Sequence, residues 1–413
     1  MNTSFETAIT NRADYHAEKY AQRHAQFGSN DVLPMWVADM DLATPSFILK
    51  AIQQRLEHPV LGYTQSSEAV YQAIIDWQAR HGYTVKSEHI VFTHNVLNGF
   101  YMAVQALTQT GDAILVQPPV YPPFMNAPTA NQRKLVEAPL LNINNRYHID
   151  FAQFETRIID NNVKLFLFCH PQNPSGRVWL REELEQIAEI CLRHHVIIVS
   201  DEIHADMVYT PHTHIPMASL SDEIAQQCVT LSSPGKTFNL GGLQIGYAII
   251  ANPAYKKRYR HNSFANGVGE LNLFAQIALL AAYSEQGLVW KEQLLEHFSR
   301  NIHRLNAFFA SQLPKVKVML PEASYLVWLD FNAYFSNHAE LKNWLINDAK
   351  LGLNDGESFG GESKSGTGFM RINLAIAPSV LEQALSQLQQ AIKTPAFTNP
   401  ETADQFTQKR SQS

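Results

Sequence analysis

Six short apolar segments, separated by stretches with helical periodicity, constrain this chain more than any other feature of it. Ile90–Thr93, Ala113–Gln117, Leu165–Cys169, Val196–Ser200, Val229–Ser232 and Tyr247–Ile250 read as strands, rich in Val, Ile, Leu and Phe on both faces. A strand buried on both faces belongs in a sheet covered by helices on each side, as parallel sheets are. The intervening stretches supply those helices. The clearest is Glu182–Arg193, where Leu184, Ile187, Ala188, Cys191 and Leu192 mark the apolar positions. Thr110–Gly111–Asp112 stops one helix, and Pro118–Pro119 ends the strand that follows. Alternation of this kind predicts an α/β domain with a largely parallel sheet.

The 413 residues exceed what one hydrophobic core usually supports, so a second domain is expected. A long helical stretch from about Asn272 to Leu313, broken or bent near Gly287, leads into a different texture. It comprises a strand (Tyr325–Asp330), a helix (Glu340–Ala349), a glycine-rich loop (Gly352–Gly368), a strand (Phe369–Ala375) and a last helix (Ser379–Ile392). We therefore expect a large domain over residues 45–289 and a smaller α+β domain over 1–44 and 290–392. Residues 393–413 are polar and nearly devoid of large aliphatics, which predicts a disordered tail. A net charge of −6 without a basic block argues against nucleic acid or an anionic membrane as partner. No apolar run is long enough to span a bilayer, and the polar N-terminus lacks the apolar stretch of a signal peptide. Cys169, Cys191 and Cys228 show neither disulfide nor metal spacing. These features predict a cytoplasmic protein.

In an open parallel sheet, ligands gather beyond the carboxyl ends of the strands. Three strands here are followed in turn by His170-Pro171-Gln172-Asn173, by Asp201-Glu202-Ile203-His204 and by Ser233-Pro234-Gly235-Lys236. Each is ordinary alone: Asn-Pro-Ser-Gly is commonly a turn, an aspartate can cap a helix, and a lysine is usually solvated. Together, on strand ends of one sheet, they suit one cofactor, pyridoxal phosphate. Lys236 would form an imine with its aldehyde, and Asp201 would keep its pyridine nitrogen protonated, so that the ring draws electrons from Cα. Asn173 would donate to the ring hydroxyl. Asn95 and Val96, where a strand gives way to a helix, offer backbone amides for the phosphate, and the Ser233 hydroxyl can add to them. Tyr121, within Pro118–Pro123, is placed to stack on the ring. His204, His212 and His214 could suggest a metal, but no HExxH or CxxC accompanies them and Pro211 marks a loop, so no metal site is expected.

Taken in order, PQNPSG (Pro171–Gly176), DEIH (Asp201–His204), S-x-x-K (Ser233–Lys236) and FMRIN (Phe369–Asn373) resemble the class I/II aminotransferase-like superfamily of fold type I, over roughly residues 30–392. LPMWVADMDLATP (Leu33–Pro45), LGYTQ (Leu61–Gln65), DEIHADMV (Asp201–Val208) and KTFNLGGLQ (Lys236–Gln244) are similar to the MalY/PatB-type cystathionine β-lyases within it. The resemblance implies a homodimer in which Tyr63 reaches the phosphate of the neighbouring subunit's cofactor, and an Arg371 that holds the substrate α-carboxylate as a fork. Two departures from the aminotransferase pattern matter. His204 stands where aminotransferases usually carry a cofactor-binding tyrosine, and Gln244 where they carry a phosphate-binding arginine.

The activity implied is β-elimination from a cysteine S-conjugate such as L-cystathionine, giving homocysteine, pyruvate and ammonia. Lys236 would take the Cα proton, and Tyr121 would shape the ring position or protonate the leaving sulfur. An aminotransferase on the same scaffold is the alternative reading. A regulatory role through protein contact is another, with no surface in the sequence to display it.

Overall fold

The computed structural model describes residues 5–7, 12–394 and 397. Its centre is a seven-stranded sheet: β1 (Ile90–Thr93), β2 (Ala113–Val116), β3 (Lys134–Glu137), β4 (Val163–Cys169), β5 (Ile197–Asp201), β6 (Cys228–Ser232) and β7 (Gly246–Ile249), in the order β1-β7-β6-β5-β4-β2-β3. Side chains of β4 show why the sheet is buried on both sides. Phe166 and Phe168 enter one apolar core, while Leu165, Leu167 and Cys169 enter the other, as the two-residue repeat of a strand dictates. Helices α1 (Glu68–Ala79) and α3 (Arg181–Arg193) pack in the first core and α2 (Val96–Leu107) in the second. Burying each large apolar side chain contributes about 1.5–3 kcal/mol.

All the expected strands are present, and β3 joins as an edge strand that the sequence reading did not anticipate. Only β7 runs against the others, pairing antiparallel with both β6 and β1. Residues 233–245, which link β6 to β7, build the turn that carries Lys236 instead of a crossover helix, so the chain returns antiparallel.

The expected 272–313 helix is two: α4 (Leu273–Ala282) and α5 (Glu285–Gln312). Ser284 makes the break, its hydroxyl capping the Gly287 N–H at 3.3 Å. Gly287 lies in the first turn of α5, where a β-carbon would sit 1.8 Å from the Ala282 carbonyl oxygen. It permits the close approach of the two helices and is not itself the bend.

A second sheet, antiparallel throughout, holds β8 (Lys317–Met319), β9 (Leu326–Asp330), β10 (Asn354–Asp355) and β11 (Phe369–Asn373) in the order β8-β9-β11-β10, with α6 (Pro378–Ala391) in the same core. The glycine-rich segment thus contains β10 and a helical turn at Glu357–Gly360. The expected helix at 340–349 is shorter, His338–Asn343, and passes into a wider turn at Trp344–Asp348. Leu33–Pro34 pairs with Leu351–Gly352, which ties the N-terminal segment to this part of the molecule. The boundary expected at 289/290 falls inside α5. Trp290, Leu294 and Phe298 of that helix pack with the large core, and Ile302, Leu305 and Phe309 with the small one. Of the expected tail, residues 395–396 and 398–413 lie outside the described residues, while Phe397 packs against Trp344 at 5.2 Å. All three cysteines are buried and free. Among the described residues, no helix is long and apolar enough to cross a membrane.

Candidate active site

Six of the seven central strands run in one direction, so the segments leaving β1, β2, β4, β5 and β6 share one edge of the sheet. Asp201 is the last residue of β5, buried beside its partners Cys169 and Leu231. Its Oδ1 accepts from the Ile203 N–H at 3.1 Å, and Oδ2 accepts from no described residue. Burial pushes the carboxyl up to about 7, against the pull of that N–H and of the Lys236 charge. Such a group gains from a cation brought to its free oxygen.

Lys236 lies in the turn after β6. Its Nζ donates to the Ala38 carbonyl at 2.5 Å, and the Tyr325 hydroxyl donates to the same oxygen at 2.9 Å. Burial, followed by the nearby Arg371 charge, lowers its ammonium to about 8. Arg371 on β11 is 2% exposed and lies over the Phe359 ring at 5.0 Å. One terminal nitrogen donates to Asn173 Oδ1 at 2.9 Å and the other to the Trp36 carbonyl at 3.0 Å, while Nε is buried without a partner. Burial lowers the guanidinium to about 10, so it stays charged at neutral pH. His204 is buried too; burial, then the Lys236 and Arg371 charges, hold it at about 3, a neutral imidazole whose Nδ1 has no partner. Tyr121 takes its place through its N–H, which donates to the Asn173 carbonyl at 3.1 Å, and burial raises its phenol.

At the start of α2, Asn95 accepts the Asn98 N–H at 2.7 Å, and its side-chain amide donates to Gln244 at 2.5 Å. This ties the helix end to the segment after Lys236. Gly246 opens β7 against that turn, where a β-carbon would meet Thr93 Oγ1 at 2.5 Å and Asn95 backbone atoms at 2.7 Å. Val96 is buried as the first residue of α2. Ser233 behaves differently from the expectation: its hydroxyl donates to the Ile245 carbonyl at 2.6 Å and accepts the Gly235 N–H at 2.8 Å. Its proton is thus used to set the Lys236 turn. Tyr63 lies on a segment apart from this cluster, fully exposed beside the exposed Val60 and Leu61.

Sequence reasoning missed the Trp36–Asp39 segment. Its four consecutive carbonyls accept from Arg371 (Trp36), Asn373 (Val37, 2.6 Å), Lys236 and Tyr325 (Ala38) and Asn373 again (Asp39, 2.6 Å). Lys19, fully buried, anchors the segment through Asp39 at 2.9 Å and Asp41 at 3.1 Å. Its signals in the sequence were the family-like LPMWVADMDLATP stretch and the acidic pair around Met40, neither of which shows what its carbonyls do. His214 donates or accepts at Glu202 (2.9 Å), away from His204's open nitrogen. Among the described residues a possible cation group, His338, Asp355 and Glu357, also occurs. There Lys342 already neutralises Asp355 at 2.6 Å, and His338 uses both nitrogens on Asp355 and Gly368.

The donor set fits pyridoxal phosphate: a buried amine, a buried carboxylate with a free oxygen, an unpartnered imidazole nitrogen and a helix N-terminus at one sheet edge. Residues 28–388 match the family model for aminotransferase class I and II. Over 367 residues the chain is 43% identical to cystathionine beta-lyase PatB of Bacillus subtilis, covering 89% of this chain and 94% of that one. Protein MalY of Escherichia coli is 31% identical over 371 residues, 89% and 93% of the two chains. Cystalysin from Treponema denticola, a solved structure with a pyridoxal 5'-phosphate cofactor, superposes with a TM-score of 0.91 at 32% identity, covering 95% of this chain and 99% of that one. The PLP-bound C–S lyase from Staphylococcus hominis gives 0.87 at 31%, with coverage of 95% and 99%. The chain belongs to the aminotransferase class I and II family, in the branch that holds PatB and MalY.

Proposed function

We propose that this chain is a pyridoxal-phosphate-dependent carbon–sulfur β-lyase. It splits a cysteine S-conjugate such as L-cystathionine into a thiol (homocysteine), pyruvate and ammonia. The observation that carries the reading is the convergence of a lysine amine lowered to about 8 with a buried carboxylate and a buried arginine. The names and extents of the relatives above support the same activity.

When bound, the cofactor supplies an electron-withdrawing ring that accepts the charge left as Cα loses its proton. The chain's own residues do the rest. Lys236 anchors the group and serves as the base: with its ammonium near 8, an appreciable fraction is neutral at neutral pH and can hold the Cα proton at Nζ. The Ala38 carbonyl gives that ammonium a hydrogen-bond acceptor. Asp201, its Oδ1 taken by the Ile203 N–H, would hold the ring nitrogen with Oδ2. Asn173, whose oxygen is taken by Arg371, has its amide hydrogens left for the ring hydroxyl. His204 adds a neutral ring nitrogen there. Arg371 holds the α-carboxylate with the hydrogens that Asn173 and Trp36 leave unused, Nε among them. Tyr121, kept protonated by burial, would lie against the ring and could deliver a proton to the departing sulfur. Asn95 and Val96 offer their helix-end amides to the phosphate. Ser233 fixes the Lys236 turn and reaches the phosphate only if its proton leaves Ile245.

A second copy of the chain completes the site in this reading, its Tyr63 meeting the phosphate across the interface. The full exposure of Tyr63 and the exposed Val60, Leu61 and Phe264 support a covering partner.

L-cystathionine supplied without a keto acid should yield pyruvate and free thiol in equal amounts over many turnovers. A transaminase would stop after one turnover unless a keto acid restored its cofactor. Strict dependence on a keto acid, with no thiol released, would overturn the lyase reading.

A further inference from the structure

Asp206 is a buried carboxylate that the mechanism above does not use. It lies five residues beyond Asp201 in the segment that also carries His204. Three side chains converge on it, two from α1 and the turn that ends it and one from the Lys236 turn. Trp77 of α1 donates through Nε1 to Oδ1 at 2.8 Å, and His81, just past α1, meets the same oxygen at 3.0 Å. Thr237 donates through its hydroxyl to Oδ2 at 3.0 Å. Thr237 is fully buried and is the residue next to Lys236. Trp77 is itself fixed, stacked on Tyr283 at 4.4 Å and edge-on to Phe238, two residues past Lys236. Burial alone would push the Asp206 carboxyl up, but the hydrogen bond and charge of His81, the Lys291 charge and the Trp77 hydrogen bond together outweigh it and hold the group below its usual range.

The two halves of the proposed site come from different strands. Asp201 and His204 follow β5, and Lys236 follows β6, and the Lys236 and Asp201 side chains are not hydrogen-bonded to each other. The Asp206–Thr237 bond is a direct side-chain link between the two segments. A charge-assisted bond of this kind, satisfied at both ends in a dry environment, restricts both partners more than a neutral one does. We infer that Asp206 is a positioning residue: through Thr237 it sets the Lys236 turn against the segment carrying Asp201 and His204. The inference rests on the assignment of Lys236 as the cofactor lysine.

The test follows cofactor attachment and does not depend on turnover. Full-length protein is stripped of cofactor, pyridoxal phosphate is added back, and borohydride traps the attached fraction over time, with peptide mapping of the labelled lysine. Thr237→Val removes the donor while keeping the shape, Thr237→Ser restores it, and Asp206→Asn removes the charge. Thr237→Val should slow attachment to Lys236 by about tenfold with thermal melting of the stripped protein little changed, as the loss of one hydrogen bond to a charged group predicts. Thr237→Ser should recover most of the rate. Asp206→Asn combined with Thr237→Val should be no slower than the slower single variant, because both cut one link. A Thr237→Val protein that attaches cofactor at the wild-type rate overturns the inference while leaving Lys236 in its role. A wild-type label on another lysine overturns both. Should Asp206→Asn fail to fold, the two Thr237 variants decide alone.

Discussion

Asp201 should be a residue that destabilises the cofactor-free protein, and Asp201→Asn tests this. The carboxyl rises from its usual 3.8 to about 7 on folding, chiefly because burial removes water from its charged form. A rise of about 3 in pKa corresponds to about 4 kcal/mol against the ionised state. The sign follows from proton binding. Below the unfolded value, near 4, both states are protonated and the residue contributes nothing. Between about 4 and 7 the unfolded chain releases the proton while the folded one keeps it, so stability falls as pH rises, and above about 7 the loss is complete. An asparagine escapes this loss. In urea unfolding of the stripped protein, Asp201→Asn should match the wild type near pH 4 and exceed it by about 2–4 kcal/mol near pH 9, the lower bound allowing for hydrogen bonds the amide leaves unmade. Added cofactor should narrow or reverse the gap, since a cationic ring nitrogen rewards only the carboxylate, and turnover should drop about 10²-fold or more. An asparagine variant that is equally or less stable than wild type at high pH would refute the argument.

Arg371→Lys should keep the charge but lose the fork, raising KM for the thioether about tenfold or more in steady-state assays while kcat changes less. Mixing Tyr63→Phe protein with Lys236→Ala protein, each inactive or nearly so, should restore about a quarter of wild-type turnover, since a hybrid dimer has one intact site when Tyr63 acts across the interface. Activity that stays at the sum of the parents would exclude that arrangement. Gly287→Ala should cost about 3 kcal/mol or more in denaturant unfolding, because its β-carbon would overlap the Ala282 carbonyl 1.8 Å away.

Much of the site was legible because a parallel sheet sends the ends of its strands to one edge, so Asn173, Asp201 and Lys236 could be gathered from the sequence. Strand direction was not legible. The residues of β7 have the same apolar character as those of β6, and periodicity carries no polarity, so its antiparallel return appears only with the Lys236 turn in view. Side-chain chemistry predicted a phosphate role for Ser233, and the contact of its hydroxyl with the Ile245 carbonyl, twelve residues on, has no signal in the sequence. Asp206 and Tyr325 were silent because the partners that matter, Thr237 for one and the Ala38 carbonyl for the other, are distant in sequence. The helix break expected near Gly287 falls at Ser284, whose capping hydroxyl is a weaker signal in the sequence than the glycine.

The Trp36–Asp39 wall has a consequence for how this enzyme tolerates change. Its contribution to the site is made by main-chain oxygens, which every amino acid possesses, so exchanging the side chains of Trp36, Val37 and Ala38 deletes no acceptor, whereas the Asp39 carboxylate is itself a partner of Lys19. Length is another matter. The oxygens meet Arg371, Asn373, Lys236 and Tyr325 in a fixed succession, with Leu33–Pro34 pinned on one side and Asp41 hydrogen-bonded to Ala375 on the other. One inserted or deleted residue between those anchors would shift the whole row out of step. Up to Ala38 the segment is forgiving of spelling, and throughout it is unforgiving of metre.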